Sequence, residues 1–549
     1  MRFARRVRDC CRVVGCSTLA LGASCAQAHD PSRDHTLVVA LAAEPTLLLP
    51  PLLGETPGFI VADQILERLA EPDSTLDTRG DRAFRPRLAE RWTWADDSLS
   101  IAFLIAANAR WHDGLPVTAH DVRFTFALYT DTAVASPAAS LLADIDSVQV
   151  RNERVAVFWF HRRHAQQFFD ATYHMRILPE HLLADLPRPE LRHGAFARAP
   201  TGSGPFRFAR WVPGQLLELE SDTTYRGGRS QFRRLVFTIA PDPSAALIGA
   251  LDREVDVLSY VEPAQIARVA RSRTLSPVRW ASLSSGLVML NLHDPGSSRR
   301  PHAVLGDRSV RRALTMAVDR ARLTSAALGK SAIPATGPLP APLLHGAPAL
   351  LPQPDLPRAV SLLDDAGWHM PSDRDTRRRD GTPLRFTLLV STTAPAGQRV
   401  AVLMQDELRR AGANMDVETV DNATLAARLS AHRFDAALVA LDWDPSPFSA
   451  RQLWGTPTNP AAETSNFSGY SDPMFDSLIA AADIASDSTT AHVAERRAWQ
   501  TLVRDAPAIW LYDFERVAAL RRCVQPKGVR ADAWWAGLSR WTVRDGCQS

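Results

Sequence analysis

Apolar positions recur along the chain with two periods. Short runs such as TLVVALAA (36–43), VAVFWF (155–160), LVFTIA (235–240), GLVMLNL (286–292) and LRFTLLV (384–390) are strand-length and rich in β-branched and aromatic residues, as half-buried or buried strands require. Between them, RSVRRALTMAVDRARLTSAAL (308–328) and AVLMQDELRRAGA (401–413) repeat apolar residues every three to four positions, the period of an amphipathic helix. Strands and helices interleaved in this order predict α/β lobes. The Pro-rich stretch 333–357, IPATGPLPAPLLHGAPALLPQPDLP, cannot be regular throughout and predicts a long loop inside a lobe. Arg377-Arg378-Arg379-Asp380-Gly381 predicts a solvated turn before the next strand. The sequence shows no internal repeat.

At 549 residues the chain exceeds a single core and predicts about three domains. With 46% hydrophobic and 22% charged residues it is of ordinary globular composition, which argues against extended disorder. Residues 1–28 differ from the rest. Arg2, Arg5, Arg6, Arg8 and Arg12 precede a modestly apolar segment and the A-x-A step Ala26-Gln27-Ala28, the pattern of a cleaved signal peptide that leaves His29 as the first mature residue. Val13-Val14-Gly15-Cys16 is a competing lipobox-like pattern, and Arg5-Arg6 also allows twin-arginine export. Removing this segment takes away five Arg and one Asp and turns the formal charge of +3 into −1. The basicity therefore belongs to the leader, and no clustered basic face points to a nucleic-acid partner. No other stretch nears 18 consecutive apolar residues, so the mature protein is expected to be soluble outside the inner membrane. Four of six cysteines leave with the leader; Cys523 and Cys547 stay as a disulfide candidate, with two thiols as the alternative.

Residues 110–126, RWHDGLPVTAHDVRFTF, carry the pairs His112-Asp113 and His120-Asp121. Asp113-Gly114 before Pro116 is turn chemistry. Thr118 to Asp121 has capping-box spacing ahead of the apolar run Val122, Phe124, Phe126. Both carboxylates are thus expected on backbone groups, and the histidines do not stand at i, i+4 as a helical metal pair would. Leu328-Gly329-Lys330-Ser331 lacks the first Gly of a phosphate-binding loop, and Thr201-Gly202-Ser203-Gly204-Pro205 is neither a nucleophile elbow nor a dinucleotide fingerprint. His161-Arg162-Arg163-His164 is the best remaining metal candidate, yet its two flanking cations oppose a divalent ion. No metal and no cofactor are expected.

The same stretch resembles the signature of extracellular solute-binding proteins of the peptide/nickel class, the receptors of ABC importers. The likeness continues, in the family's order, through LAERWTWADDSLSIAFLI (88–105), ILPEHLL (177–183), TGSGPF (201–206), VRRALTMAVDR (310–320), LLDDAGW (362–368), SNFSGYSDPMFDSLI (465–479) and DAPAIWLY (505–512). Ala106 and Arg253 depart from residues common in the family, both in scaffold segments. The resemblance implies an α/β, two-lobed periplasmic binding protein fold of the large, three-subdomain type, hinged around a cleft that closes on ligand. Residues 29–70, 200–280 and 500–549 would form the core of lobe 1, residues 71–199 its extra subdomain, and residues 281–499 lobe 2.

What the resemblance further implies is a receptor and not an enzyme. It would be a monomer that delivers a peptide or similar small solute to a membrane permease and its ATPase subunits. In peptide-binding members an Asp after the strand that follows Phe-Asp pairs with the ligand's ammonium. Here that region is Phe434-Asp435 through Pro445, and counting without gaps selects Asp444 whereas matching the Asp-aromatic step selects Asp442. The loop is about three residues shorter than in peptide binders. Trp443 is a candidate to stack on ligand, or a core residue, and Glu44 matches a residue that approaches ligand in relatives, or is a strand-end surface residue. Alternatives are a receptor for a nickel chelate or oligosaccharide and, in another class, a secreted hydrolase, which would need a nucleophile–base pair that the sequence does not display.

Overall fold

The computed structural model describes residues 35–345, 350–372, 376–446, 448–457, 465–485 and 487–544. The leader 1–28, its Cys16 and Cys25, the start at His29 and Cys547 lie outside the described residues. Eleven strands form one mixed sheet that runs through two lobes. In lobe 1 the strand Thr36–Leu41 lies parallel between Arg234–Ile239 and Val257–Leu258, and the hairpin Phe206–Val212/Leu216–Ser221 extends the sheet antiparallel. In lobe 2 the strand Arg385–Ser391 is parallel to both Asn414–Val420 and Ala436–Asp442. Helices Pro395–Arg410 and Asn422–Ser430 make the crossovers, as parallel neighbours require. Val400, Met404 and Leu408 of the first helix share a buried core with Leu388 and Val390 of the strand below.

Two long antiparallel strands, Leu275–Leu290 and Ala508–Arg521, join the lobes. Trp280, Ala518 and Leu520 belong to the lobe 1 core, whereas Leu287, Met289, Ala508 and Trp510 are buried in lobe 2. Between these ends the ladder breaks, from Ala281 to Ser285 and again at Gly286–Leu287. Bulges of this kind bend and twist a strand pair. At Gly286 a Cβ would lie 2.1 Å from the Tyr512 ring, so only glycine allows the strands this close. The interrupted segment is the connection across which the lobes face each other.

The extra part of lobe 1 is a four-stranded antiparallel sheet of Ala89–Trp94, Ser100–Ile105, Val155–Phe160 and Ile145–Asn152, covered by the helix Ala119–Thr130. Phe103, Phe158 and Phe168 pack edge-on or tilted beneath it. One excursion leaves this lobe. Between the short paired strands Ala70–Pro72 and Phe84–Pro86 the loop crosses to lobe 2. There Leu76 is fully buried in that lobe's core, and the Thr78 hydroxyl donates to Pro445 O at 3.3 Å.

Two expectations need correction. The helical pattern 308–328 is two helices, Arg308–Ala317 and Arg320–Leu328, because Val318 is extended and Asp319 caps the second by accepting the Arg322 N–H at 3.0 Å. Asp at such a position competes with the helix for its own backbone groups. The Arg377–Gly381 turn is only half solvated. Asp380 and Gly381 take positive φ in the tight turn between Arg378–Arg379 and Thr382–Pro383, but Arg377 is buried and donates to Ala411 O, Trp368 O and Asp364. Three acceptors at the end of neighbouring segments satisfy the guanidinium and draw it out of water.

Candidate functional site

The His and Asp residues of the stretch 110–126 form a scaffold. Asp121 accepts the Thr118 backbone N–H at 2.8 Å and the Glu180 N–H at 2.9 Å, so it caps one helix and pins the start of another. Asp113 accepts from Leu115 N at 3.2 Å and contacts His181 Nε2 at 2.8 Å. Both ring nitrogens of His112 are engaged by the TGSGP turn: Gly202 N–H donates to Nδ1 at 3.2 Å, and Nε2 donates to Gly204 O at 3.0 Å. That turn needs its glycines, since a Cβ at Gly202 would sit 1.9 Å from Ile65 O. His120 is partly exposed beside Glu153, at 3.7 Å.

The loop that follows strand Ala436–Asp442 brings the predicted ligand residues to the hinge, but separates them. Asp442 is exposed, accepts the Ser284 hydroxyl, and lies within electrostatic reach of Arg516 on the second crossing strand. Trp443 turns inward. It is 5% exposed in the lobe 2 core, and its indole N–H donates to Ser285 Oγ at 2.8 Å, so it packs and has no free face in this conformation. Asp444 is partly buried, and its carboxylate accepts the Ser446 N–H at 2.8 Å. Among the described residues no cation pairs with it. Burial, with Asp532 nearby, pushes its pKa up, the response of a carboxylate short of compensation. Its charged neighbours, Asp170 and Asp532, belong to lobe 1, as does Tyr173. Glu44 stands elsewhere. It accepts Trp211 Nε1 at 2.7 Å and Gly214 N at 3.1 Å, tying down the end of the lobe 1 hairpin.

A cavity of about 280 Å³ lies between the lobes at this point. Lobe 1 contributes Asp144, His164, Gln166, Asp170 and His174, and lobe 2 contributes Ser446, Arg451, Ile479, Asp483 and Glu495. The rim is held shut by direct contacts. Arg162 reaches Asp144 at 2.7 Å and Asp483 at 2.9 Å, and Ala165 N–H donates to Asp483 O at 2.5 Å. Burial pushes His174 down to about 3 and lowers His164 too, so both imidazoles are neutral at pH 7. The wall thus carries carboxylates from both lobes with neutral imidazoles between, and Arg162 and Arg451 lie beside Asp144 and Asp483. Among these acids Asp170 is the one that no described arginine contacts, so the place for a cation is there. Of the lining acids and histidines the sequence pattern singled out only His164. Asp170 sits in the plain helical stretch Gln167–Thr172 and meets Asp444 only through the tertiary fold.

Known proteins share this architecture. Oligopeptide-binding protein AppA of Bacillus subtilis is 25% identical over 491 residues, which cover 88% of this chain and 87% of AppA. The AppA structure in complex with a nonapeptide superposes with a TM-score of 0.69, at 22% identity over 93% of this chain and 99% of that one. The ABC transporter substrate-binding protein CtaP of Listeria monocytogenes superposes with a TM-score of 0.78, at 18% identity over 92% and 99% of the two chains. The model for the middle region of the bacterial extracellular solute-binding proteins, family 5, matches residues 83–461. That match spans more than half of the sequence, from the extra sheet of lobe 1 to the loop beyond Asp444, and the chain belongs to the bacterial extracellular solute-binding proteins, family 5.

Proposed function

We propose that this protein is the periplasmic receptor of an ABC importer. It captures a peptide or peptide-like solute that carries a cationic group, closes its lobes on it, and presents it to a permease with ATPase subunits. The receptor acts as a monomer exported by the cleaved leader 1–28. The observation that carries the reading of the solute is Asp444: a partly buried carboxylate with no cationic partner among the described residues, within electrostatic reach of Asp170 and Asp532 of the opposite lobe, in the loop whose Ser446 lines the cavity. Burying an ammonium in a closed cleft costs several kcal/mol unless a charged group receives it, and an uncompensated carboxylate is in the same position. Each supplies what the other lacks. Asp442 is the weaker candidate because it is exposed, bonded to Ser284 and near Arg516. The binding of a nonapeptide by AppA, a relative of similar length, agrees with a solute of this class.

Native mass spectrometry of solute carried through purification identifies the ligand, and calorimetric titration of that ligand tests the anchor. Asp444→Asn keeps the shape and removes the charge. It is expected to weaken binding by about 3–5 kcal/mol and to abolish ligand-induced compaction in small-angle scattering. Asp442→Asn is expected to stay within about threefold of wild type. Equal, near-wild-type binding by both variants would refute the carboxylate anchor and favour a sugar-type solute held by uncharged contacts.

A further inference from the structure

Across the inter-lobe cavity from the Asp444 loop, three side chains from separate segments of lobe 1 converge. Asp144 ends the loop before the strand Ile145–Asn152, His164 lies in the loop after Val155–Phe160, and Asp170 lies in the helix Gln167–Thr172. His164 Nε2 is 3.7 Å from Asp144 Oδ2 and 3.7 Å from Asp170 Oδ2, and one donor atom from each residue lies within 4.8 Å of the others. Neither pair is close enough to be a hydrogen bond.

Two buried side chains, His164 itself and Gln166, show that this wall is built to receive something. His164 is 6% exposed and its Nε2 has no hydrogen-bond partner among the described residues. Gln166, also 6% exposed, lines the same cavity, and neither its amide nitrogen nor its oxygen has a partner among the described residues. Buried polar atoms are almost always satisfied, so a cluster of orphans on one cavity wall points to a ligand. The Asp170 carboxylate accepts no hydrogen bond from a described group, and the acids Asp144, Asp444 and Asp483 surround it. Arg162 offsets part of this charge from a distance but donates no hydrogen bond to Asp170, because its donors go to Asp144 at 3.0 and 2.7 Å and to Asp483 at 2.9 Å. Arg163 is exposed. The two flanking cations that argue against a metal in the sequence are therefore spent or turned away.

We propose that Asp144, His164 and Asp170 hold a divalent transition-metal cation of the zinc or nickel class in the wall of the inter-lobe cavity. One imidazole and two carboxylates form a mixed nitrogen–oxygen set, which suits these ions better than calcium or magnesium. Donors about 2.1 Å from a tetrahedral ion stand on the order of 3.4 Å apart, so the 3.7 Å pairs need to close by only a few tenths of an ångström. The bidentate Arg162 contact would then fix the orientation of Asp144, as outer partners of metal ligands do. His161, the other histidine of the motif, takes no part: it is exposed, beside Asp146 at 3.5 Å. The site does not depend on what the solute is.

The test uses the full mature protein, stripped with chelator and titrated calorimetrically with zinc chloride and, separately, nickel chloride. One ion per chain with a dissociation constant below about 10 μM is expected. Asp170→Asn and His164→Gln should each weaken it at least tenfold, with His161→Ala unchanged and the fold of every variant checked by circular dichroism. If a variant fails to fold, X-ray absorption on the cobalt-loaded wild-type protein decides, with one imidazole per ion expected. No stoichiometric binding, binding untouched by Asp170→Asn and His164→Gln, or an ion with no or several imidazoles overturns the proposal. Any of these results leaves the receptor reading standing, and loss of solute binding with the metal retained would leave this site standing.

Discussion

Arg79 and Glu495 form a buried ion pair that spans the two lobes, with Arg79 Nε donating to Glu495 Oε1 at 2.9 Å and a second contact from Nη2. Arg79 is carried to lobe 2 by the loop whose Leu76 is buried in that lobe's core. It also donates to His345 Nε2 at 2.9 Å, and burial together with Arg79 pushes that imidazole down to about 3. Burial raises the Glu495 pKa despite its partner. Arg79→Met is therefore expected to leave an uncompensated buried carboxylate and cost about 3–5 kcal/mol in urea unfolding. The double variant Arg79→Met, Glu495→Leu should recover most of that loss. If the double variant is as unstable as the single one, the cost lies in packing and not in the stranded charge.

Asp121 predicts a different hierarchy from the one its capping role suggests alone. Thr118→Ala removes a hydroxyl that donates to Asp121 at 3.2 Å, and should cost on the order of 1 kcal/mol. Asp121→Ala strips an acceptor from the Thr118 and Glu180 backbone N–H groups and from Trp111 Nε1, which lies at 3.4 Å. Two or three orphaned donors at a buried site should cost at least 2 kcal/mol more. Thermal unfolding of the two variants checks the order. His112→Ala and His120→Ala should leave metal content unchanged.

How far the chain can be read without its structure depends on how local each cause is. VAVFWF coincides with its strand and LVFTIA is offset from its strand by one residue, because each is a short apolar, β-branched and aromatic run buried over consecutive positions and no competing turn residue interrupts it. The helix break at Val318 is hidden because the apolar period continues across it, and only the Asp319 cap marks it. At the site the limit is sharper. Asp444 stands out as a family match, but its isolation depends on residues near 170 and 532, and the three residues of the proposed metal site are joined by no spacing rule. A sequence motif can present His164; only the fold can bring Asp144 and Asp170 to it.

Cys523 and Cys547 are expected to be bridged. Cys523 is buried in the turn before Val524–Gln525, a strand paired with Thr542–Val543, and Arg544 N–H donates to Cys523 O at 3.0 Å. The chain therefore returns to Cys523 three positions before Cys547, which lies outside the described residues. A bridge would close a loop of about 25 residues and contribute roughly 3 kcal/mol in the chain-entropy model. Thiol titration of the denatured, unreduced protein should find no reactive thiol. Two titratable thiols would exclude the bridge.

The hinge strand carries the clearest pH dependence. Asp513, on Ala508–Arg521, is buried, and the bond that steadies it is the Ala341 N–H at 3.1 Å. Burial raises its pKa from 3.8 to about 7, so between these values the folded protein holds a proton that the unfolded chain releases. Stability from this group is complete below pH 3.8 and is lost as pH rises to about 7, beyond which its contribution is flat. Asp513→Asn keeps an acceptor for Ala341 and carries no charge at any pH. Relative to wild type it should gain little at pH 4 and on the order of 2–4 kcal/mol by pH 8. Urea unfolding of both proteins across this range measures the difference directly. A gap that does not widen with pH would mean that Asp513 is ionised at no cost, and that water or a cation reaches the hinge between the lobes.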